Sequence, residues 1–297
     1  MTLLTAALLG FDAQAAPAIR EDDSSITISS GKSRLVFSKQ DGAVKSLRFN
    51  GTEFVQGGFG FRPLFWRSPN EKDIQDRIPE RSAKWKDYTQ QCVVTGTKTG
   101  TDEDGAVYLR VTYDSGCELT YRLRQDGALH VQFILPPTEK PFREPVILDG
   151  PGMMYNPDQP EEERQKELEE FRAWTESVKK MARLDWMQEV PLLPRVGLRM
   201  HLPDKFFLEE SDGRLAVTDR RSRGFVLLPN PALQYSAPHK TLEDIEAGSP
   251  VVRPFRELSI DAVPTDDSGY FLPSDTIGFD FTLIPVRDAA TLDVVLR

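Results

Sequence analysis

A chain of 297 residues with 39% hydrophobic and 28% charged side chains carries enough apolar material for a sizeable core, which excludes wholesale disorder. Its formal net charge of −9 argues against a nucleic-acid partner, because backbone binding relies on clustered Lys and Arg. No apolar run approaches the ~20 residues of a membrane-spanning helix, so no membrane partner is expected either.

The chain opens on MTLLTAALLGFDAQAAPA, where the apolar run from Leu3 to Phe11 and the triplet Ala13-Gln14-Ala15 suit a secretory signal. The missing basic n-region and Asp12 suit a tail or a junction instead. A removed signal would make the protein secreted or periplasmic; otherwise it is expected in the cytoplasm. From Ser25 the texture is that of strands: ITIS (26–29), SRLVFS (33–38), AVKSLRF (43–49) and TEFV (52–55) are short and rich in β-branched and aromatic residues. Asp41-Gly42 and Asn50-Gly51 between them are two-residue hairpin turns. Asn50-Gly51-Thr52 is formally a glycosylation acceptor, but the turn already explains it.

Three more strands follow at 106–114, 117–124 and 128–135, joined by Ser115-Gly116 and Asp126-Gly127. Pro160 to Gln188 then breaks the pattern. Leu168, Phe171, Trp174, Val178 and Met181 recur at spacings of three and four, with glutamates first and Lys179, Lys180 and Arg183 last, so an amphipathic helix is expected. It reads as an insert packing on its own sheet, or as a lid or partner-binding helix. Strands resume with LPRVGLRMHLP (193–203), RLAVTD (214–219), GFVLLP (224–229), ALQYS (232–236), ELSIDAV (257–263) and TIGFDFTLIPV (276–286). No βαβ alternation appears, so the fold is all-β and antiparallel.

Motifs for chemistry are sparse. Cys92 and Cys117 read as two buried thiols or one disulfide, and the three histidines, His130, His201 and His239, have no zinc-like spacing. No metal or cofactor is expected. The adjacent Asp266 and Asp267 point to opposite faces if extended, so they suit a turn better than an acid and nucleophile pair.

Several stretches, in order, resemble one family. KSRLVFSKQDGAVKSLRFNGTE, FWRSPNEKDI, LPRVGLRMHLP, GRLAVTDRRSRGFVLL, LQYSAPHKTLEDIEAG and RELSIDAVPTDDSGY with FDFTLIPV resemble the C-terminal β-sandwich of family 2 β-galactosidases, carried by the small chain of two-subunit enzymes. The resemblance implies a large antiparallel supersandwich like that of galactose mutarotases, over 25–297, with a helical insert at 159–188 and a tail or signal-like segment at 1–24. It also implies that both catalytic glutamates sit elsewhere, in a TIM-barrel domain or subunit, so that this chain has no catalytic residues and is inactive alone.

What it implies about sites centres on Phe65–Ile74. The family's Arg-Ala-Pro-Thr-Asp-Asn-Asp stretch stands here as Arg67 to Asp73, which makes Trp66, Arg67 and Asp73 the carbohydrate-binding candidates; packing of Phe65 and Trp66, with Arg67 and Asp73 ordering the loop, is the competing expectation. Two departures weaken the pocket. The family's Trp-x-Gly-x-Gly-Pro-x-Glu-Asn-Tyr segment is missing between Glu210 and Gly213, and its Asp-Asp-Ser-Trp is Asp266-Asp267-Ser268-Gly269-Tyr270. The implied function is hydrolysis of terminal β-galactosides together with a catalytic glycosidase chain or domain. The alternative is a stand-alone carbohydrate-binding or protein-interaction sandwich.

Overall fold

The computed structural model describes residues 16–66, 93–136, 160–166, 169–170, 173, 195–230, 233–236, 239–240, 255–263 and 276–296. A first antiparallel sheet follows chain order: β1 (Ala18–Glu21), β2 (Ser25–Ser30), β3 (Ser33–Ser38), β4 (Ala43–Phe49) and β5 (Thr52–Glu53). It is the expected meander, extended by β1 from within residues 1–24. Asn50 and Gly51 take φ of 51° and 78°, the left-handed pair that a two-residue hairpin loop requires. Ile26, Ile28, Leu35 and Phe37 alternate inward because side chains along a strand repeat with period two.

The second sheet has eight strands. It contains β7 (Val94–Thr101), β8 (Val107–Tyr113), β9 (Glu118–Leu123), β10 (Leu129–Leu135), β12 (Phe207–Ser211), β13 (Arg214–Thr218), β14 (Gly224–Asn230) and β18 (Ile277–Val286), in the order β12-β13-β14-β18-β10-β9-β8-β7. A third sheet contains β6 (Arg62–Trp66), β11 (Arg195–Pro203), β15 (Leu233–Ser236), β16 (His239–Lys240) and β17 (Phe255–Ala262), in the order β15-β17-β11-β6 with β16 also on β17.

The first and third sheets join edge to edge. Val44 and Phe61 exchange backbone hydrogen bonds of 3.0 and 2.8 Å, and the Gln56 amide donates to the His201 carbonyl at 2.7 Å. The combined layer faces the eight-stranded sheet across one core that includes Ile28, Phe37, Phe65, Leu198, Met200 and Ile260 on one side and Leu109, Tyr121, Val131, Phe133 and Phe281 on the other. The architecture is an all-β supersandwich, as expected.

Helical residues at 161–166, 169–170 and 173 belong to α1, within the expected insert; its apolar stripe Leu168, Phe171, Trp174, Val178 and Met181 lies outside the described residues. A second helix, α2 (Ala289–Leu296), was not anticipated. Asp288 Oδ1 accepts from the Thr291 amide at 2.8 Å and so caps its start. Leu292, Val295 and Leu296 pack on Ala216, Val226 and Val286, which face away from the main core. The expected strand at 52–55 is shorter, ending at Glu53, while the Phe54 amide still donates to the Leu47 carbonyl at 2.9 Å and Phe54 and Val55 remain buried.

Candidate functional site

β6 brings the first candidate into the third sheet. Phe65 is fully buried in the core, and Trp66, the last residue of β6, pairs through its backbone with Arg195 of β11. The packing expectation therefore holds for Phe65. Arg67 and Asp73 lie outside the described residues, as do Cys92, Asp266 and Asp267. Cys117 is fully buried.

Beside Trp66 runs a polar face that sequence reasoning missed. On β11, Val196, Leu198, Met200 and Leu202 enter the core, so period-two alternation puts Gly197, Arg199 and His201 on the other side of the sheet. Register then aligns Glu257 with His201, Ser259 with Arg199 and Asp261 with Gly197 across β17, while Arg62 of β6 lies opposite Arg199. Arg62, Ser259 and Asp261 are buried at 6%, 3% and 1% exposure, so this is no ordinary solvated face. The signal in the sequence was the polar alternate set in RVGLRMH and ELSID; its burial had none.

The geometry is that of a bracket. Glu257 reaches Arg199 Nε with Oε1 at 3.5 Å and His201 Nε2 with Oε2 at 3.7 Å. His201 lies between Phe59, stacked at 4.7 Å, and Phe255 at 4.2 Å. The Arg62 guanidinium sits 4.9 Å from the Phe59 ring centroid and its Nε donates to the Phe59 carbonyl at 2.8 Å. Arg62 and His201 thus both hold Phe59, and with it the glycine-rich segment 56–60, to the sheet.

Among the described residues, the two carboxylates of this face are not spaced as a glycosidase pair. Glu257 and Asp261 share one strand four residues apart, about 13 Å at ~3.3 Å per residue. Retention needs carboxylates ~5–5.5 Å apart and inversion ~6.5–9.5 Å. With both ring faces covered, His201 is held as a packing element. Among the described residues no group of His, Cys, Asp and Glu is arranged to hold a metal ion.

The family model for the β-galactosidase small chain matches residues 29–207, from β2 into β12. The chain belongs to the β-galactosidase small-chain family. A β-galactosidase of Priestia megaterium (strain DSM 319 / IMG 1521) is 24% identical over 141 residues, covering 46% of this chain and 13% of that enzyme. The chain thus spans about an eighth of that curated relative's length. Among solved structures, heparan sulfate lyase HepC from Pedobacter heparinus aligns with 93% of this chain and 37% of its own at 11% identity and a TM-score of 0.48. An Escherichia coli K12 protein described as an aldose 1-epimerase aligns with 91% of this chain and 99% of its own at 13% identity and a TM-score of 0.40.

Proposed function

We propose that this small-chain sandwich forms one wall of a β-galactoside-hydrolysing enzyme whose acid and nucleophile belong to a catalytic barrel on another domain or subunit. The match to the small-chain family supports this reading, and the Glu257–Asp261 spacing agrees with a chain that lacks its own catalytic pair. The sandwich would then supply shape and water exclusion around the sugar. Its unit would run over 25–297 with the insert at 159–188, and β1 adds Ala18–Glu21 to its first sheet.

Trp66, Arg67 and Asp73 are the proposed sugar contacts, since β6 carries the chain to its sheet end at Trp66. An aromatic ring can stack on a pyranose while arginine and aspartate bond its hydroxyls. In the combined enzyme, Trp66→Ala, Arg67→Ala and Asp73→Ala should each raise KM for a β-galactoside with an unchanged melting curve. Unchanged KM in all three folded variants would remove these residues from the site.

One observation favours the stand-alone binding module. Where the family's Trp-x-Gly-x-Gly-Pro-x-Glu-Asn-Tyr segment would stand, β12 passes to β13 through the tight turn Asp212-Gly213, with φ of 49° and 72°. A wall shortened there would leave the sugar pocket more open.

A further inference from the structure

The eight-stranded sheet has its own outward face. β8, β9, β10 and β18 send Leu109, Val111, Leu119, Tyr121, Val131, Phe133, Phe279 and Phe281 into the core. Their alternate residues face the other way, and register lines them up in rows across the strands. Tyr108, Arg122, His130 and Thr282 make one row; Arg110, Thr120, Gln132 and Asp280 make the next. α2 covers the same face over β13 and β14, and so bounds this part on one side.

Three features of the two rows point the same way. The charged members of the two rows each have a partner: His130 Nε2 lies 2.8 Å from Asp280 Oδ2, Arg110 Nε lies 3.3 Å from Glu118, and Arg122 bonds Asp102 and Asp104. Engaged in this way, these groups hold their remaining lone pairs and N–H groups in fixed directions, which suits a ligand that bonds through hydroxyls rather than through charge. Gln132 is exposed, and Thr120 and Thr282 are half-exposed, which adds an amide and two hydroxyls between the pairs. Lastly, the Tyr108 ring lies over its cross-strand partner Gly100: a Cβ there would meet the hydroxyl at 2.6 Å and the ring carbons at 2.8 and 2.9 Å. Glycine at this position gives the ring room to lean across β7.

We infer that the outward face of β8, β9, β10 and β18 is a second carbohydrate-binding surface, which takes a neutral, extended oligosaccharide across the strands with Tyr108 beneath one sugar ring. Neighbouring strands repeat every ~4.8 Å, close to the length of one pyranose unit, so successive sugars meet successive strands. Hydroxyl donors and acceptors then find the Gln132 amide, the threonine hydroxyls and the His130–Asp280 pair, while one pyranose face stacks on the phenol ring. The surface lies on the opposite layer of the sandwich from Trp66. It goes beyond the reading above, which guides only the choice of galactan as a probe.

Affinity electrophoresis of the full chain through gels containing neutral β-linked galactan, neutral β-glucan or anionic polygalacturonate tests this. The wild type should be retarded by at least one neutral polymer and not by the anionic one. Tyr108→Ala and Gln132→Ala should lose that retardation, while Tyr108→Phe, which keeps the ring and the fold, and Trp66→Ala should retain it. No retardation by either neutral polymer overturns the proposal, as does stronger retardation by the anionic one. Loss with Trp66→Ala but not with Tyr108→Ala also overturns it, and leaves the proposed sugar contacts at the end of β6 standing.

Discussion

Val44 and Phe61 exchange two backbone hydrogen bonds, 3.0 and 2.8 Å long, and this bridge helps to weld two five-stranded sheets into one layer. The weld depends on Gly60, which turns the chain at φ 82° and comes so close that a Cβ would stand 2.8 Å from the Val44 carbonyl and 2.9 Å from Ala43 Cβ. A side chain there would both strain the backbone and push the strands apart. Gly60→Ala should therefore lower stability by about 2–3 kcal/mol, read as an earlier urea midpoint. Gly51→Ala, which takes φ of 78° but meets nothing within 4 Å, should cost about 1 kcal/mol, through backbone strain alone. Equal losses would contradict the steric part of the account.

Two buried tyrosines on adjacent strands should respond in opposite ways to loss of the hydroxyl. Tyr113 Oη donates to the Gly42 carbonyl at 3.0 Å and so ties the eight-stranded sheet to the first sheet, whereas Tyr121 Oη is buried with no hydrogen-bond partner. Burial pushes the Tyr121 hydroxyl far above its ordinary range, with Cys117 adding to the shift. Tyr113→Phe should cost about 1–2 kcal/mol, while Tyr121→Phe should be neutral or stabilising by about 1 kcal/mol. Thermal unfolding of the two variants side by side checks the contrast.

Acid should destabilise the fold in a definite window. Hydrogen bonds from the Ser24 hydroxyl and amide, then from Ser25, lower the Asp22 carboxyl to about 2. At Asp219 burial pushes the carboxyl up, but the Arg223 guanidinium at 2.7 Å and the Arg221 and Arg223 amides at 2.8 and 3.1 Å outweigh it, and the carboxyl is lowered. Groups lowered in the fold bind fewer protons than in the unfolded chain. Their stabilisation is complete above the ordinary carboxylate range, about pH 4, and is lost as pH falls through the folded values. The urea midpoint should hold from pH 7 to 5 and drop between about pH 4 and 2. Asp219→Asn should begin about 1–2 kcal/mol lower and fall less over that window; parallel curves would contradict the assignment.

Much of this fold was legible because its strands alternate cleanly and its turns carry glycine. Leu35, Phe37, Val131, Phe133, Phe279 and Phe281 could be placed in a core from spacing alone. β7 could not, since VTGTKTGT has no apolar alternation and holds its place through pairing with β8. The order β14-β18-β10 was equally hidden, because it joins strands distant in sequence. At the candidate site, the family motif led to Trp66, but the polar face of Arg62, Arg199, His201, Glu257 and Asp261 arises only when β6, β11 and β17 align.

The polar face of β6, β11 and β17 should prove structural where catalysis is concerned. Removing a true acid or base costs about 10²–10⁴-fold in rate. Glu257→Gln, in a chain combined with its catalytic barrel, should change kcat less than tenfold while lowering the melting temperature, because Arg199 and His201 lose the carboxylate between them. A loss in kcat above a hundredfold with an unchanged melting curve would make Glu257 part of the chemistry.

The most direct test is hydrolysis of a chromogenic β-galactoside by the purified chain alone, by a catalytic barrel chain from the same source alone, and by the two mixed at rising ratios. A sandwich that completes the sugar pocket gives no activity alone and a saturating rise in the mixture. Hydrolysis by this chain alone would contradict the account, and so would a barrel whose rate is indifferent to its presence.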